Sequence, residues 1–237
     1  MLRSMKIKPA GHPPASKLAI FARYPVPGEA KTRFSPSIPP ELATQLHAAM
    51  VEDAVETALV ANADQVALYW ASDPAGRSAF PLPSGVIVRA QSGPDLGARL
   101  SAAFAELLEG ASSRAVVIGT DCPDLAPEAL RRSLLALEDA DLVLGPARDG
   151  GYYLIGLRRS TPGLFTGIEW GTDRVLEETL ERAARVGLRA HWLETLEDLD
   201  TPADLVRFIA RRSVTESRVG LRTEAALRVM GLLPPRG

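Results

Sequence analysis

One cysteine, Cys122, and three histidines, His12, His47 and His191, are all that the 237 residues offer for building thiolate or imidazole sites. A lone cysteine closes no internal disulfide and supplies no zinc-ligand spacing, which points to a reducing compartment and to Cys122 as a small packed residue. The histidines are scattered over the N-terminal tail, a helix and a strand, without the spacing of a metal cluster or a nucleophile–base pair. There is no Gly-x-Ser-x-Gly elbow and no Walker phosphate loop ending in Gly-Lys-Ser/Thr. No apolar run approaches the ~20 residues a membrane span needs, and Met1 to Ser16 mixes Lys, Pro and Gly without an apolar signal core. The net charge of -2 gives no concentrated positive charge for nucleic acid. The expectation is a soluble cytoplasmic protein with neither a nucleic-acid nor a membrane partner, in which any phosphate binding is local.

What the chain does have is a core: 46% of it is apolar and 24% charged, enough for one large domain. Strand-like and helix-like segments alternate, the pattern of an α/β layer fold with a largely parallel sheet. Strands are expected at Lys17–Ala22, Gln65–Trp70, Val86–Arg89, up to Ile118, at Asp141–Gly145, Tyr152–Leu157 and Arg189–Leu193. Helices are expected from Pro40 to about Asn62, after an Asp95 cap and closed by Gly110, from Pro127 to about Glu138, over Asp173–Val186, and after Thr201. The link Arg148-Asp149-Gly150-Gly151 is too short for a helical crossover, so its strands should pair antiparallel and make the sheet mixed. Residues 1–16 read as a tail, 17–212 as the domain, and 213–237 as a C-terminal helical extension of it. Arg207, Arg211, Arg212, Arg218 and Arg222 in this last region read as a solvated helical face.

The run Val116-Val117-Ile118 ends abruptly in Gly119-Thr120-Asp121-Cys122-Pro123-Asp124. Ligands of open α/β sheets bind where parallel strands end, so acids placed there face a crevice. An unpaired carboxylate at the end of a buried strand is costly unless solvated, hydrogen-bonded or on a metal. Asp121 is therefore the first candidate ligand of a divalent cation.

Phe21-Ala22-Arg23-Tyr24-Pro25-Val26-Pro27-Gly28-Glu29-Ala30-Lys31-Thr32-Arg33, Gly119 to Leu125, Gly145-Pro146-Ala147-Arg148-Asp149-Gly150-Gly151-Tyr152-Tyr153-Leu154, Ile168-Glu169-Trp170-Gly171-Thr172 and Asp198-Leu199-Asp200-Thr201-Pro202-Ala203-Asp204-Leu205 occur in this order. As a set, over roughly residues 17 to 210, they resemble the bacterial transferases associated with radical-SAM/selenodomain gene clusters, labelled arsenosugar-biosynthesis glycosyltransferases. That family is placed in the nucleotide-diphospho-sugar transferase superfamily. The resemblance implies a single-domain GT-A-like α/β fold and a nucleotide-binding loop after the first strand, while fold alone does not dictate the reaction.

In that loop, Arg23 and Gly28 precede Lys31, Thr32 and Arg33. Gly28 permits close backbone approach, Lys31 and Arg33 supply charge-assisted donors to phosphate oxygens, and Thr32 adds a hydroxyl. The alternative is a solvated Lys/Arg pair in an irregular loop. The loop departs from the Gly-x-Gly form of many sugar nucleotidyltransferases and is closer to the Lys-Ser/Thr-Arg form of the 2-phospholactate guanylyltransferase group. The Asp-Thr-Pro element resembles the place where sugar-activating nucleotidyltransferases contribute a second metal aspartate, with Asp200 the better match and Asp198 the alternative. Two such acids can hold Mg²⁺ (or Mn²⁺), whose other ligands are waters and substrate phosphates. Asp149 is a candidate for binding a substrate group or assisting the metal, with Gly150 and Gly151 admitting the ligand and either Tyr152 or its neighbour lining the pocket. A hairpin turn is the structural alternative there. Trp170, Gly171 and Thr172 precede a helix whose N-terminal amides could hold an anion or a polar acceptor group, while a core plug is the commoner role of a lone tryptophan such as Trp170.

These readings lead to a Mg²⁺-dependent transferase using a nucleotide or nucleotide-sugar donor and a small-molecule acceptor. Lys31, Asp121 and Asp149 are its catalytic candidates. Glycosyl transfer leads on the resemblance, nucleotidyl transfer with release of pyrophosphate is favoured by the Lys31–Arg33 loop, and a non-catalytic nucleotide-binding regulator is the remaining reading. The oligomeric state is not legible.

Overall fold

A computed structural model describes residues 15–34, 37–71, 80–109, 113–161 and 163–234. Seven strands form one sheet in the order β3-β2-β1-β4-β6-β5-β7. They are β1 (Ala15–Ala22), β2 (Gln65–Trp70), β3 (Val86–Ala90), β4 (Ser113–Ile118), β5 (Leu142–Pro146), β6 (Tyr152–Leu157) and β7 (Ala190–Trp192). Only β6 runs against its neighbours, pairing antiparallel with both β4 and β5, while β1 pairs in parallel with β2 and β4, β2 with β3, and β5 with β7. The mixed, mostly parallel α/β fold expected from the sequence is the one observed.

Helices cover both faces, which is why the central strands are apolar throughout instead of alternating. Helices α1 (Pro40–Val60) and α3 (Pro127–Ala136) cover one face, where Leu18, Ile20, Val51, Val55, Val116, Ile118 and Leu130 share a core. Helices α2 (Leu96–Leu107) and α4 (Val175–Arg185) cover the other, around Ala19, Tyr69, Leu100, Phe104, Val117 and Ile155. Two further helices, α5 (Pro202–Val214) and α6 (Leu221–Val229), pack on α1 through Leu46, Met50, Phe208 and Leu227. Helix α1 is thus buried on two sides. Its apolar positions spread beyond the single face that its periodicity suggests, with Ala43, Val51, Val55 and Ala58 also buried.

Local chemistry sets the boundaries. Asp95 caps α2 by accepting from the Ala98 amide at 2.8 Å, while Gly110, the expected closing residue, lies outside the described residues. Thr201 and Asp204 form a reciprocal capping box at α5, with Pro202 in the first turn where a missing N–H costs nothing. The N-terminus of α6 is capped from outside, by the buried Asp53 of α1, which accepts from the Arg222 and Thr223 amides at 3.0 and 2.8 Å.

Of the C-terminal arginines, Arg207, Arg218 and Arg222 are exposed as their spacing suggests, but Arg212 is buried and Arg211 is half-buried. Arg212, with 3% of its side chain exposed, bridges Asp124 at 2.5 Å and the buried Glu224 at 2.9 Å. Arg211 reaches Asp124 at 2.8 Å and also pairs with Glu197, and Arg222 pairs with Glu52 and Glu56. Helix periodicity cannot register these partners because they come from distant elements. Asp124 is thereby committed to holding the C-terminal helices, which leaves Asp121 as the acid of this motif that faces the crevice.

Candidate active site

From β1 the chain passes to β2 and β3 on one side, and then returns to β4 on the other. Such a reversal leaves a crevice at the carboxyl ends of the two central strands. A cleft of about 450 Å³ opens there, lined by Ala22 at the end of β1 and Arg23 just after it, Gln91 after β3, Gly119 to Asp121 after β4, and Lys31 to Arg33.

The loop after β1 is shaped by its glycine and anchored by an aromatic. Gly28 has φ +80°, a conformation costly for any side-chain-bearing residue, and the turn closes through the Glu29 amide on the Val26 carbonyl at 3.0 Å. Phe34, at the end of a 3-10 turn over Thr32–Phe34, is fully buried against α1 and α5. Between these points Lys31 adopts φ +53° and turns its side chain inward, leaving only 3% of it exposed. Its ammonium donates to Asp121 Oδ1 at 2.7 Å and to the Leu199 carbonyl at 2.6 Å, and lies 3.4 Å from Asp200 Oδ1. Arg33 reaches Asp200 Oδ2 at 3.0 Å. The loop, the end of β4 and the segment before α5 therefore converge on one charged cluster.

Asp121 keeps 48% of its side chain exposed toward the cleft. Partial desolvation of its own carboxyl works to raise the pKa, but the charge and hydrogen bond of the Lys31 ammonium outweigh this and hold it below the ordinary value, so it is anionic at neutral pH. Asp198 behaves in the opposite way. Burial, then the nearby Asp149 charge, push its pKa up to about 6, with the Cys122 thiol donating at 3.4 Å as a partial offset. Burial and the Asp198 charge push the Cys122 thiol well above its usual value, which keeps it protonated and unreactive.

Arg23, Lys31, Thr32, Arg33, Asp121 and Asp200 all line the cleft. Gly28 shapes the loop instead of touching the cleft. Asp149 sits in the β5–β6 hairpin, where it accepts from the Gly151 amide at 2.8 Å. At Gly150, φ is +90° and an added Cβ would lie 2.0 Å from the Asp173 carbonyl, so glycine is required for docking the turn before α4. Its expected role of admitting a ligand gives way to this packing role. Tyr152 likewise turns into the core beneath α2 and α4, away from the cleft, while Tyr153 packs on the opposite face and donates to the Glu194 carbonyl at 3.1 Å. Trp170 packs against Gly97 of α2, Gly171 takes φ +85°, and Thr172 bonds the Glu169 carbonyl at 2.8 Å. These three shape the approach to α4 and do not line the cleft described above.

Three cleft residues escaped the sequence reading. Buried His47 of α1 places Nε2 2.9 Å from the Arg23 carbonyl, which can only accept, so Nε2 carries the proton and ties α1 to the loop. Burial keeps this ring below the ordinary histidine pKa, and the Lys31 charge adds to the effect. Gln91 donates to the Tyr69 carbonyl at 2.9 Å, and Arg99 to the Gly93 carbonyl at 3.1 Å. The usable signal was positional: Gln91 directly follows a parallel strand, the same placement that singles out Asp121.

Asp121 and Asp200 offer only oxygen donors, the chemistry that Mg²⁺ and Mn²⁺ take. Among the described residues no group of three or more His, Cys, Asp or Glu side chains could hold a metal ion. Two carboxylates on a cleft, with further ligands drawn from water and substrate, fit a hydrated divalent ion better than a closed structural site.

The single α/β domain, with its mixed, mostly parallel seven-stranded sheet and a crevice at the topological reversal, matches nucleotide-diphospho-sugar transferase and nucleotidyltransferase folds. The chain belongs to the family described as "Uncharacterized protein conserved in bacteria (DUF2064)", which matches residues 45–172. It is 31% identical to a Desulfovibrio desulfuricans G20 protein provisionally described as a nucleotide-diphospho-sugar transferase, covering 91% of this chain and 95% of that one with a TM-score of 0.82. The fold is shared with a CMP:2-keto-3-deoxy-manno-octonic acid synthetase complexed with CTP, at 16% identity, TM-score 0.53, and coverage of 84% and 98%. It is shared too with the glucosyl-3-phosphoglycerate synthase of Mycobacterium tuberculosis in complex with Mn²⁺, UDP and glucosyl-3-phosphoglycerate, at 14% identity, TM-score 0.51, and coverage of 94% and 82%. Comparison with curated proteins returns no match. Among the described residues no helix is long and apolar enough to cross a membrane.

Proposed function

We propose that this protein is a divalent-cation-dependent transferase that moves a glycosyl group from a nucleotide-diphospho-sugar to a small-molecule acceptor. The observation that carries this reading is the convergence of the Lys31–Arg33 loop with Asp121 and Asp200 at the carboxyl ends of β1 and β4. The 31%-identical Desulfovibrio relative supports it, as does the glycosyl transferase fold that binds UDP and Mn²⁺. The motif resemblance to the radical-SAM-associated, arsenosugar-type transferases belongs to the same proposal, together with the division into a tail, a domain over 17–212 and a C-terminal extension.

In this reading Arg23, Thr32 and Arg33 bind the donor phosphates from the loop side, with Gly28 fixing the loop's path. Asp121 and Asp200 hold Mg²⁺ or Mn²⁺, which when bound neutralises charge building on the departing nucleoside diphosphate. Asp121 is suited to this because its carboxyl is anionic at neutral pH and open to the cleft. Asp198, which feels the charges of both Asp149 and Asp121, is assigned to the acceptor side, where its carboxyl can accept a hydrogen bond from an acceptor hydroxyl. His47 keeps the loop closed on α1, which orients Arg23.

A second reading, nucleotidyl transfer with release of pyrophosphate, is favoured by the density of cationic donors in the loop and by the likeness to a synthetase that binds CTP. One experiment separates them: incubation with Mg²⁺ and panels of nucleoside triphosphates and nucleotide sugars, with the released product identified. Nucleoside diphosphate supports glycosyl transfer and pyrophosphate supports the second reading. Release of neither, across panels that include candidate acceptors, would overturn the transferase reading. Asp121→Asn keeps an acceptor for Lys31 and should retain the fold while losing turnover by at least about a hundredfold.

A further inference from the structure

The oxygens around the Lys31 ammonium are those a hard divalent cation would choose: Asp121 Oδ1 at 2.7 Å, the Leu199 carbonyl at 2.6 Å and Asp200 Oδ1 at 3.4 Å. Two of the three belong to the carboxylates assigned above to the cation. An ammonium and a dication cannot share this position, because their repulsion at a few ångströms is strong in a partly desolvated cleft. The chain sets the ammonium there from a left-handed backbone at φ +53°, which is disfavoured for a lysine. The stem is flexible, and the cleft of about 450 Å³ in front of it, lined by Lys31 itself, leaves room for another rotamer.

We propose that Lys31 is an exchangeable internal cation. It neutralises Asp121 and Asp200 in the free protein, and it swings out of their oxygens into the cleft when a divalent ion enters. The acids are then never left as an uncompensated pair, and the displaced ammonium is delivered to the side where donor phosphates are proposed to lie. This rests on the assignment of Asp121 and Asp200 as the cation-holding pair and adds the device that guards it.

The test is Mn²⁺ titration of the full chain without nucleotide, followed by the electron paramagnetic resonance of free Mn²⁺. Lys31→Met and Lys31→Gln should each bind Mn²⁺ at least about tenfold more tightly than the parent, and Asp121→Asn added to either should abolish the gain. Neutral variants that bind no more tightly, or a gain that survives Asp121→Asn, would overturn the exchange. A measurement on the parent chain needs no substitution: Mg²⁺ should shift or erase the protected ¹⁵N signal of the Lys31 ammonium. An unchanged signal with Mg²⁺ bound to the protein overturns the proposal equally. Neither readout uses turnover. Exchange without any donor being consumed would leave this inference standing while the transferase reading fell, and turnover with an unresponsive Mn²⁺ affinity would do the reverse.

Discussion

Asp198 carries a burial cost that its neighbours do not repay, since a carboxyl with a pKa of about 6 binds a proton in the folded chain that it would release when unfolded. The sign follows directly. Between its ordinary value near 3.8 and about 6 the native state holds more protons than the unfolded state, so stability falls as pH rises through that window. Asp198→Asn removes the penalty while keeping an acceptor for Cys122. It should stabilise the protein by about 1–2 kcal/mol at pH 8 and by nearly nothing at pH 4, read from denaturant midpoints at the two pH values. An equal gain at both would show that packing, not charge, is responsible.

At the same scale, Arg23→Ala and Arg33→Ala should each weaken binding of the cognate nucleotide by about tenfold or more, measured by calorimetry once a donor is known. The matched control is Arg185→Ala, an exposed arginine that among the described residues pairs with Glu181 along its own helix. Arg211, which helical spacing makes look like a solvated control, does not serve, because it pairs with Asp124 and Glu197. Unchanged affinity in both loop variants would return the loop to a merely solvated role.

At the scale of elements, Gly150 and Arg212 each hold two segments together. Gly150→Ala would drive a methyl into the Asp173 carbonyl at φ +90°, and should cost more than about 1 kcal/mol in thermal or denaturant unfolding. Arg212→Ala removes the buried bridge between Asp124 and Glu224, leaving Asp124 to Arg211 and Glu224 to Arg228, and should cost about 2–3 kcal/mol. A loss below about 1 kcal/mol would show the pair to be solvated after all. These two residues also mark what was and was not legible in the sequence. Periodicity, caps and strand composition gave the order and type of the strands and main helices, because local propensity and burial act together over each segment. The antiparallel β6 followed from a four-residue link. The placement of Asp121, Lys31 and Arg33 on one cleft was legible because strand ends and the loops that follow them gather at the same edge of the sheet. The remote partners of Arg211, Arg212 and Asp53 were not, because ion pairs and outside caps depend on which elements meet in space. The misplacement of Tyr152 has a similar cause: alternation shows that adjacent strand residues face opposite sides, but not that both sides are covered by helices.

At the scale of the whole molecule, the fold brings three stretches separated by some 90 and 170 residues onto one ammonium. The C-terminal helices secure one wall of this arrangement: Asp124, three residues beyond Asp121, is gripped by α5, and the Leu199 amide donates to the Asp121 carbonyl at 2.7 Å. In the proposed function this cleft binds a nucleotide-activated donor together with a divalent cation. The most direct measurement is a crystal structure of the protein with Mn²⁺ and the nucleotide that binds most tightly, using anomalous scattering to locate the metal. One Mn²⁺ peak touching both Asp121 and Asp200 is expected, with nucleotide phosphates against Arg33 and the loop after β1. A nucleotide bound outside this cleft, or a metal that touches neither aspartate, would contradict that reading.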